Sequence, residues 1–389
     1  MYEVKVLQTL DDVSLYENDW DQLLSESAGH NIFHTRQMLK SLLHNNAENL
    51  LAVIIFKDDT AVSLSVFLKK NERFKLKFGV FTVMRLWVSR LRLLGDDVVI
   101  MQGEDGALLY KLTLDALNSC VDKIDYIVLD NLKVNSSIWN FFKSNKFLAH
   151  GFMLKRTSPV LQELRGISLG ENHEHYLKGL TGKTRYNLRS RVKKLWKEGC
   201  DEVDVLRIDD SGQMRSFLNH VDHVFNNSWR AKLIGAKQRS IESTAEQLRL
   251  VSDYGWFRSY VLLVKGQAIA YALGYQYNDT YLLEEIAYDK DWAAFGAGSV
   301  LNFKLIEDLF DYKKPDFIDF GYGENEYKRI LGNSLEYSCM AYLIPRGNIK
   351  GRLIIGVQRL LYFAYLWSDL VIDKIGISDW LKKTIKRNA

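Results

Sequence analysis

Cysteine and proline are scarce in this chain of 389 residues, which contains three of each. The cysteines, Cys120, Cys200 and Cys339, lie far apart and match no spacing typical of a metal or redox site. Three thiols cannot all pair within one chain, so a reducing cytosol is the expected environment. The few prolines exclude a proline-rich linker, and the eight histidines form no pattern that predicts a metal site.

Long apolar runs and a dominant charge sign are also missing. The 52 basic and 48 acidic residues give a net charge of +4, too balanced to predict a nucleic-acid binder. The N-terminal residues contain acids and no apolar run typical of a signal peptide. Residues 353–372 are apolar but interrupted by Gln358, Arg359 and Asp369, so they predict an amphipathic helix rather than a spanning one. Packing on the protein body and lying on a membrane surface both remain open for this helix.

The secondary-structure pattern indicates two similar halves. With 47% hydrophobic residues, the chain has enough apolar material for two cores. A helix, a hairpin turning near residues 57–60, a second helix and a strand are expected in the first half. The second half repeats this order, with three strands between 260 and 289 that turn at 265–267 and 277–280. We therefore predict an α/β (α+β) protein.

A glycine-rich turn between a strand and a helix is the first candidate site. Gly296 and Gly298 free the backbone to approach a ligand, and the amides of residues 296–300 fall in the first helical turn. Free amides at a helix N-terminus favour phosphate, although a plain loop would show the same residues. The preceding strand carries Glu284 and Glu285, and the next strand ends at Asp319. Because the loops at the carboxyl ends of neighbouring strands share one crevice, the turn and the acids of both strands are expected to lie close together.

The acidic and aromatic residues around this turn suggest proton transfer. Adjacent strand residues face opposite sides, so only one of Glu284 and Glu285 is expected to point into a site, as a general base. Asp319 is followed by Gly-rich backbone and then by Tyr327 and Lys328, a proton donor and a cation. The alternative is that Asp319 caps the loop and Tyr327 fills the core.

A basic helix is predicted over residues 183–197, with Leu188, Val192 and Leu195 on its packed face. A phosphorylated donor, a nucleotide-sugar, RNA, an anionic membrane and plain solvent are all compatible with its charged face. Its basic residues are Lys183, Arg185, Arg189, Arg191, Lys193, Lys194 and Lys197.

Several motifs resemble those of GNAT-type acyltransferases of the FemAB/CelD-like group, the cellulose/polysaccharide-biosynthesis type of acetyltransferase. The resemblance covers about residues 16–345, and its specific part is 281–332. It rests on the basic helix and on Tyr288-Asp289, Gly298 with Leu301, Asp319-Phe320-x-x-Gly323-x-x-x-Tyr327-Lys328, Ser228-Trp229-Arg230, and Trp20 with Leu23.

The resemblance implies two GNAT-like domains in tandem, each a mixed, mostly antiparallel central sheet flanked by helices. Residues 1–160 would be a degenerate N-terminal domain, 161–348 the acyltransferase domain and 349–389 an amphipathic basic helical tail. The implied reaction moves an acyl group, as acetyl, from acyl-CoA to an amine or hydroxyl of a sugar or cell-envelope polysaccharide precursor. The implied location is the cytoplasm, with a peripheral contact at the inner face of the membrane through 353–387.

The resemblance also implies roles for individual residues. Glu285 would be the base, Tyr327 the donor of a proton to the leaving thiolate, and Asp319 an orienting carboxylate. The CoA pyrophosphate would lie on Phe295, Gly296, Ala297, Gly298 and Ser299. Substrate would be bound by Lys328, Trp229, Arg230, Arg185 and Arg189.

One departure from the GNAT pattern keeps two alternatives open. GNAT enzymes usually open the pyrophosphate loop with Gln or Arg, whereas this chain has Ala293 there. The first alternative is therefore an aminoacyl-tRNA donor, as in the FemAB relatives. The second is a non-catalytic scaffold for envelope polysaccharide synthesis, held at the membrane by its tail.

Overall fold

The computed structural model describes residues 1–44, 49–120, 124–144, 151–199, 201–228, 241–323 and 325–375. The chain forms two compact units. Unit 1 consists of Met1–His30, Ala47–Leu161 and Ser338–Ala389, and unit 2 of Asn31–Asn46 and Gln162–Tyr337. The domain limits expected at 160 and 348 stay a prediction. Neither unit is one continuous stretch of sequence. Residues 31–46 belong to unit 2, and the chain from residue 338 onward belongs to unit 1.

The structure contains the hairpin expected near residues 57–60 and the three strands expected between 260 and 289, together with further elements. The helices are α1 (Leu10–Leu15), α2 (Glu17–Glu26), α3 (Arg36–Leu43), α4 (Gly106–Cys120), α5 (Ser137–Lys143), α6 (His173–Gly179), α7 (Gly182–Glu198), α8 (Met214–Asn227), α9 (Ile241–Ser252), α10 (Ala297–Asp311), α11 (Glu326–Leu331) and α12 (Ile349–Ile375). The strands are β1 (Tyr2–Leu7), β2 (Leu50–Lys57), β3 (Thr60–Phe78), β4 (Phe81–Leu93), β5 (Val99–Ile100), β6 (Tyr126–Lys133), β7 (Phe152–Lys155), β8 (Gln162–Ser168), β9 (Val203–Ile208), β10 (Ser259–Val264), β11 (Gln267–Tyr277), β12 (Thr280–Tyr288), β13 (Phe317–Asp319) and β14 (Ser334–Pro345).

Unit 1 contains a mixed, mostly antiparallel sheet in the order β1-β2-β3-β4-β6-β14, with β5 beside β3 and β7 beside β14. Its one parallel pair among these strands is β4 with β6. Helices α4 and α5 cover one face, and their Leu109, Leu114 and Phe141 join the buried side chains of β2. Ile354 and Ile355 of α12 cover part of the other face.

In unit 2 the strands are hydrogen-bonded in the order β8-β13-β12-β11-β10-β9. Every residue of β10 is buried, and its side chains alternate between two cores. Tyr260 and Leu262 pack with α6, α7 and α10, whereas Val261 and Leu263 pack with α3, α8 and α9. A strand buried on both faces needs this continuous apolar sequence.

The strand β12 pairs with β13 in parallel, and the other described pairs of this sheet are antiparallel. The predicted arrangement, a mostly antiparallel mixed sheet flanked by helices, is therefore present in each unit. Among the described residues, no helix combines the length and the apolar character that crossing a bilayer would need.

Candidate functional site

In unit 2, β12 and β13 stop pairing partway along β12, and we call the side of β12 that β13 leaves unpaired the crevice. Their parallel ladder covers three residue pairs and ends with Leu282 opposite Asp319. β12 then continues to Tyr288, while β13 ends. Ligands of open α/β sheets bind at the carboxyl ends of neighbouring parallel strands, which is where this opening lies.

The glycine-rich turn begins directly after β12. The 3-10 helix Lys290–Phe295 leads to Gly296, whose φ of 70° lies in the left-handed region. Gly296 is also the N-cap of α10, and it has no side chain with which to cap the helix. A residue with a Cβ would be strained here, so the backbone conformation requires glycine.

Fewer backbone amides are free in this turn than the sequence predicted. The amide of Gly296 donates to the carbonyl of Ala293, and those of Ser299 and Val300 donate to the carbonyl of Gly296. This leaves the amides of Ala297 and Gly298 as the donors of residues 296–300 without a hydrogen bond to the described chain. They lie at the positive end of the 15-residue helix α10, where a phosphate is favoured.

Side chains crowd the turn closely enough to restrict both glycines. A Cβ at Gly298 would lie 2.9 Å from Cδ1 of Tyr288, and one at Gly296 would lie 2.9 Å from Cδ of Arg191. Both distances are shorter than an ordinary contact, so a larger residue at either position would displace its neighbour.

Two cations of α7 reach this turn. Arg191 donates from Nη1 to Oγ of Ser299 at 2.7 Å. The ammonium of Lys194 lies 3.4 Å from the carbonyl oxygen of Ala294 and 4.8 Å from the ring centroid of Phe295. Both side chains are exposed, so they remain accessible to a ligand. Two cations and two amides therefore belong to the same turn at the start of α10.

Sequence reasoning identified the basic helix but named other arginines as substrate ligands. No signal in the sequence separates Arg191 and Lys194 from the other cations of α7, because Arg185 and Arg189 also border the buried Leu188.

The predicted ligands Arg185 and Arg189 lie elsewhere on α7. Arg189 is exposed. The Arg185 guanidinium caps the C-terminus of α6. It donates hydrogen bonds of 2.6–3.1 Å to the carbonyl oxygens of Leu177, Lys178 and Leu180. Trp229 and Arg230 lie outside the described residues. The substrate-binding roles of all four residues stay predictions.

Glu285 and Glu284 differ in their surroundings. A β-bulge places Leu273 opposite Glu285 and Gly274 opposite Leu283, so the register of the β11–β12 ladder shifts at Glu284. Glu284 is exposed, whereas Glu285 is half-buried. Oε1 of Glu285 accepts a hydrogen bond of 2.8 Å from the hydroxyl of Tyr271, on the sheet face covered by α8. Glu285 follows the last β12–β13 pair by three residues, roughly 10 Å along the strand.

Asp319 and Lys328 hold the loop after β13. Oδ1 of Asp319 accepts from the amide of Gly321 at 2.7 Å. The buried ammonium of Lys328 donates to the carbonyl oxygens of Gly321 (3.1 Å) and Tyr322 (2.9 Å). These contacts fit the loop-capping alternative for Asp319, and the roles of both residues toward substrate stay predictions.

The ring of Tyr327 packs edge-on against Phe320, with the centroids 5.5 Å apart. Tyr327 is therefore anchored beside the end of β13, which borders the crevice. Its predicted role as proton donor also stays a prediction.

The corresponding helix of unit 1 has a different N-terminus. There a carboxylate oxygen of Asp105 accepts from the amide of Ala107 at 3.0 Å, at the start of α4. A carboxylate at this position repels phosphate. The phosphate-compatible turn therefore lies in unit 2. Within the described part of the chain, no three His, Cys, Asp or Glu side chains are grouped as a metal site requires.

Comparison with known proteins agrees with this geometry. Residues 182–329 match the acetyltransferase (GNAT) domain family. The matched segment contains the turn, Glu285, Asp319, Tyr327 and Lys328. No curated protein is significantly similar in sequence. The predicted GNAT-type acetyltransferase domain is thus confirmed for this segment, and an acyltransferase is the enzyme class that it supports.

Solved structures show the same fold over most of the chain. FemX has a TM-score of 0.60 at 10% identity, covering 87% of this chain and 98% of FemX. The C-terminal domain (DUF2156) of a putative lysylphosphatidylglycerol synthetase from Agrobacterium fabrum has a TM-score of 0.51 at 10% identity, covering 89% and 95%. A tandem GNAT protein from the clavulanic acid biosynthesis pathway has a TM-score of 0.50 at 10% identity, covering 89% and 99%. The predicted fold of two GNAT-like domains in tandem is confirmed, and the FemAB-like group fits it.

Proposed function

We propose that this protein transfers an acyl group, as acetyl, from acyl-CoA to an amine or hydroxyl of a sugar or cell-envelope polysaccharide precursor. The observation that supports this most is the turn at Gly296, where the amides of Ala297 and Gly298 meet the cations of Arg191 and Lys194. This combination suits a diphosphate better than a single carboxylate, because it offers several donors and two positive charges.

The donor would bind with its diphosphate at this turn and its thioester toward the crevice. Arg191, which comes from α7, would supply the positive charge that the loop lacks at Ala293. The edge of β12 beyond Leu282 would pair with the amide groups of the donor's arm, since β13 no longer covers it. This placement brings the thioester carbonyl toward Glu285.

The reaction would proceed by direct attack. Glu285 removes a proton from the acceptor amine or hydroxyl while its N or O atom attacks the thioester carbonyl. The new C–N or C–O bond forms, the C–S bond breaks, and Tyr327 gives a proton to the departing thiolate. Asp319 and Lys328 keep the loop between β13 and α11 in place. The rate enhancement would come from positioning and charge stabilisation, without a covalent enzyme intermediate.

The sugar or envelope acceptor rests on the resemblance to polysaccharide-biosynthesis acetyltransferases. Such a precursor is presented in the cytoplasm or at the inner face of the membrane, so a peripheral membrane contact through 353–387 belongs to the same proposal. Unit 1 would be the degenerate copy, because Asp105 fills the position at which a donor phosphate would bind.

An aminoacyl-tRNA donor is the second candidate, as expected for a FemAB-like transferase. It is favoured by the fold similarity to FemX and by exposed cations on α7 that the turn does not use, Lys183, Arg189, Lys193 and Lys197. Tight tRNA binding that weakens steeply with salt would support this candidate. A scaffold without catalysis would bind neither donor.

Calorimetric titration with CoA and acetyl-CoA tests the proposal. We expect micromolar binding, and Gly298→Asp should abolish it because a carboxylate would replace phosphate at the helix N-terminus. Arg191→Gln should weaken binding about tenfold or more, as expected for a lost charge-assisted contact. Lys193→Gln, an exposed change on the far side of the same helix, is the matched control and should bind as wild type.

Two results would contradict the assigned donor site. Absence of binding to either ligand would favour aminoacyl-tRNA or a scaffold. Equal weakening by Lys193→Gln and Arg191→Gln would mean that general charge, rather than the turn, attracts the ligand.

A further inference from the structure

The side chain of Asn302 is buried in α10 with an acceptor that no donor satisfies. Asn302 is 2% exposed, and its Oδ1 has no hydrogen-bond partner in the described chain. A buried amide in this state costs stability, because it loses hydrogen bonds to water and gains none from the protein. Such a group in a folded protein needs an explanation. The other buried residues of α10 are apolar: Ala297, Val300, Leu301, Phe303, Leu305, Ile306 and Leu309.

Asn302 lies one helical turn beyond the glycine-rich turn. It follows Gly298 at i+4, so both residues occupy one face of α10, about 6 Å apart along the helix axis. Gly298 lies against the ring of Tyr288, since a Cβ at this glycine would be 2.9 Å from Cδ1 of the ring. The face that Asn302 shares with Gly298 is therefore turned toward the end of β12.

Contacts on either side of Asn302 indicate which part of the sheet it faces. Asp308, about 120° around the helix from Asn302, accepts a hydrogen bond of 2.8 Å from Arg207 of β9. Phe310, about 80° around the helix in the opposite direction, packs against His173 of α6 with the ring centroids 5.3 Å apart. Helix α6 follows β8, which pairs with β13. Asn302 is thus turned away from β9, toward the part of the sheet where β13 leaves β12 unpaired.

We propose that Asn302 binds the pantetheine arm of the donor next to its diphosphate. This inference rests on the proposed function, in which the diphosphate lies at the amides of Ala297 and Gly298 and the arm continues along β12. The pantetheine arm of CoA carries a hydroxyl and an amide N–H within a few bonds of the diphosphate, and either group can donate to Oδ1 of Asn302. A position one turn into α10 fits this short separation.

A purely structural role explains Asn302 less well. Leucine has a similar volume and would fill the same space among apolar neighbours without a lost hydrogen bond. The amide therefore makes the free protein less stable than it could be, which is a common property of residues that serve a binding site. Bound donor would supply the missing hydrogen bond and remove this cost.

Calorimetric titration with CoA and with ADP tests the assignment, because ADP has a diphosphate and an adenosine but no arm. Asn302→Leu should weaken CoA binding about tenfold, as expected for the loss of one buried hydrogen bond, and should leave ADP binding unchanged. Asn302→Ser is a second variant that keeps the position polar but is too short to reach the arm, and it should behave in the same way. Leu309→Met, a volume-conserving change of a fully buried residue at the far end of α10, is the matched control and should bind both ligands as wild type.

Urea unfolding supplies a readout that does not depend on turnover. In the free protein, Asn302→Leu should raise the urea midpoint, because an unsatisfied amide is removed from the core. Saturating CoA should then raise the midpoint of the wild type more than that of the variant, since the wild type binds CoA more tightly.

Four outcomes would overturn the inference. If neither Asn302 variant changes CoA binding while Gly298→Asp abolishes it, the contact to the arm is wrong and the proposed donor site stands. Equal weakening of CoA and ADP would mean that the substitutions disturb the turn. A lower urea midpoint for Asn302→Leu would mean that the amide stabilises the fold. Absence of CoA binding by the wild type would overturn this inference together with the proposed donor.

Discussion

Glu285 can be tested without disturbing its packing. In Glu285→Gln the amide oxygen can still accept from the hydroxyl of Tyr271, so the surroundings stay intact while the base is lost. We expect turnover to fall by roughly 10²–10⁴, the usual range for a general base, with donor affinity retained. Thiol release from acetyl-CoA in the presence of sugar acceptors, together with the calorimetric donor titration, gives both quantities.

Tyr327→Phe supports the same test, because the ring that packs on Phe320 remains and only the hydroxyl is removed. A smaller loss of turnover is expected, since a thiolate is a good leaving group. If both variants fold as wild type and keep full turnover, Glu285 and Tyr327 are not the proton-transfer residues.

Asp97 lies outside the segment that contains the candidate site, and it makes the free energy of unfolding depend on pH. Burial, and to a smaller extent the neighbouring Asp96, raise the pKa of Asp97 to about 6. The unfolded chain ionises this carboxyl near its ordinary pKa of about 4, so the contribution of Asp97 is complete below that pH and is lost as the pH rises through 6. The loss amounts to at most about 3 kcal/mol.

Asp97→Asn should remove this dependence. Relative to wild type, the free energy of unfolding of the variant should rise between about pH 4 and about pH 7.5. Urea unfolding at the two pH values measures the difference. An unchanged difference would mean that Asp97 ionises in the folded protein as it does in the unfolded chain.

At the scale of elements, α10 is fixed at the end away from the glycine-rich turn. Asp308, near the C-terminus of α10, accepts hydrogen bonds of 2.8 Å from Arg207, Arg258 and Tyr260. The Arg258 side chain is only 3% exposed, so its charge depends on this partner. Anchoring the helix to β9 and β10 holds its N-terminus in a defined position, which a preorganised binding site requires.

Several elements could be predicted because the residues at their turns have the backbone preferences that the folded structure requires there. The turns after β10 and β11 need a left-handed residue, and Lys265-Gly266 and Asn278 adopt that conformation there. The glycine-rich turn was recognisable for the same reason. The hairpin that β3 and β4 form beyond Leu68 was not predicted. Its alternating cationic and apolar residues are compatible with several structures, and which of them forms depends on where β2 ends.

The cations of the site show what a sequence leaves undefined. Periodicity predicted α7 and its packed face, but which side of the helix meets the turn depends on tertiary packing. Arg185 and Arg191 therefore look equivalent in the sequence, although one caps α6 and the other contacts Ser299. Likewise, the sequence shows that Lys328 follows Tyr327 but does not show that its ammonium is satisfied by loop carbonyls.

At the scale of the whole molecule, a segment from the N-terminal part of the chain belongs to unit 2. Segment 31–46 belongs to unit 2, although the rest of that unit begins at Gln162. Ile32 and Met38 are buried in the core that α8 and α9 form beneath the face carrying Glu285. Ser41 of α3 also donates to the carbonyl of Gln247 in α9 at 2.9 Å. A helix encoded near the N-terminus is therefore part of the fold of the C-terminal GNAT-like unit.

Met38→Ala should consequently destabilise unit 2 and leave unit 1 unchanged. Met38 is 2% exposed, and truncating such a core side chain costs about 2–5 kcal/mol. Hydrogen exchange followed by mass spectrometry should show lost protection in α8 and α9. Leu109→Ala, an equally buried change in α4, is the control and should lower protection in unit 1 instead. Loss of protection in β2 and α4 on Met38→Ala would show that segment 31–46 stabilises the first unit, and its assignment to unit 2 would be wrong.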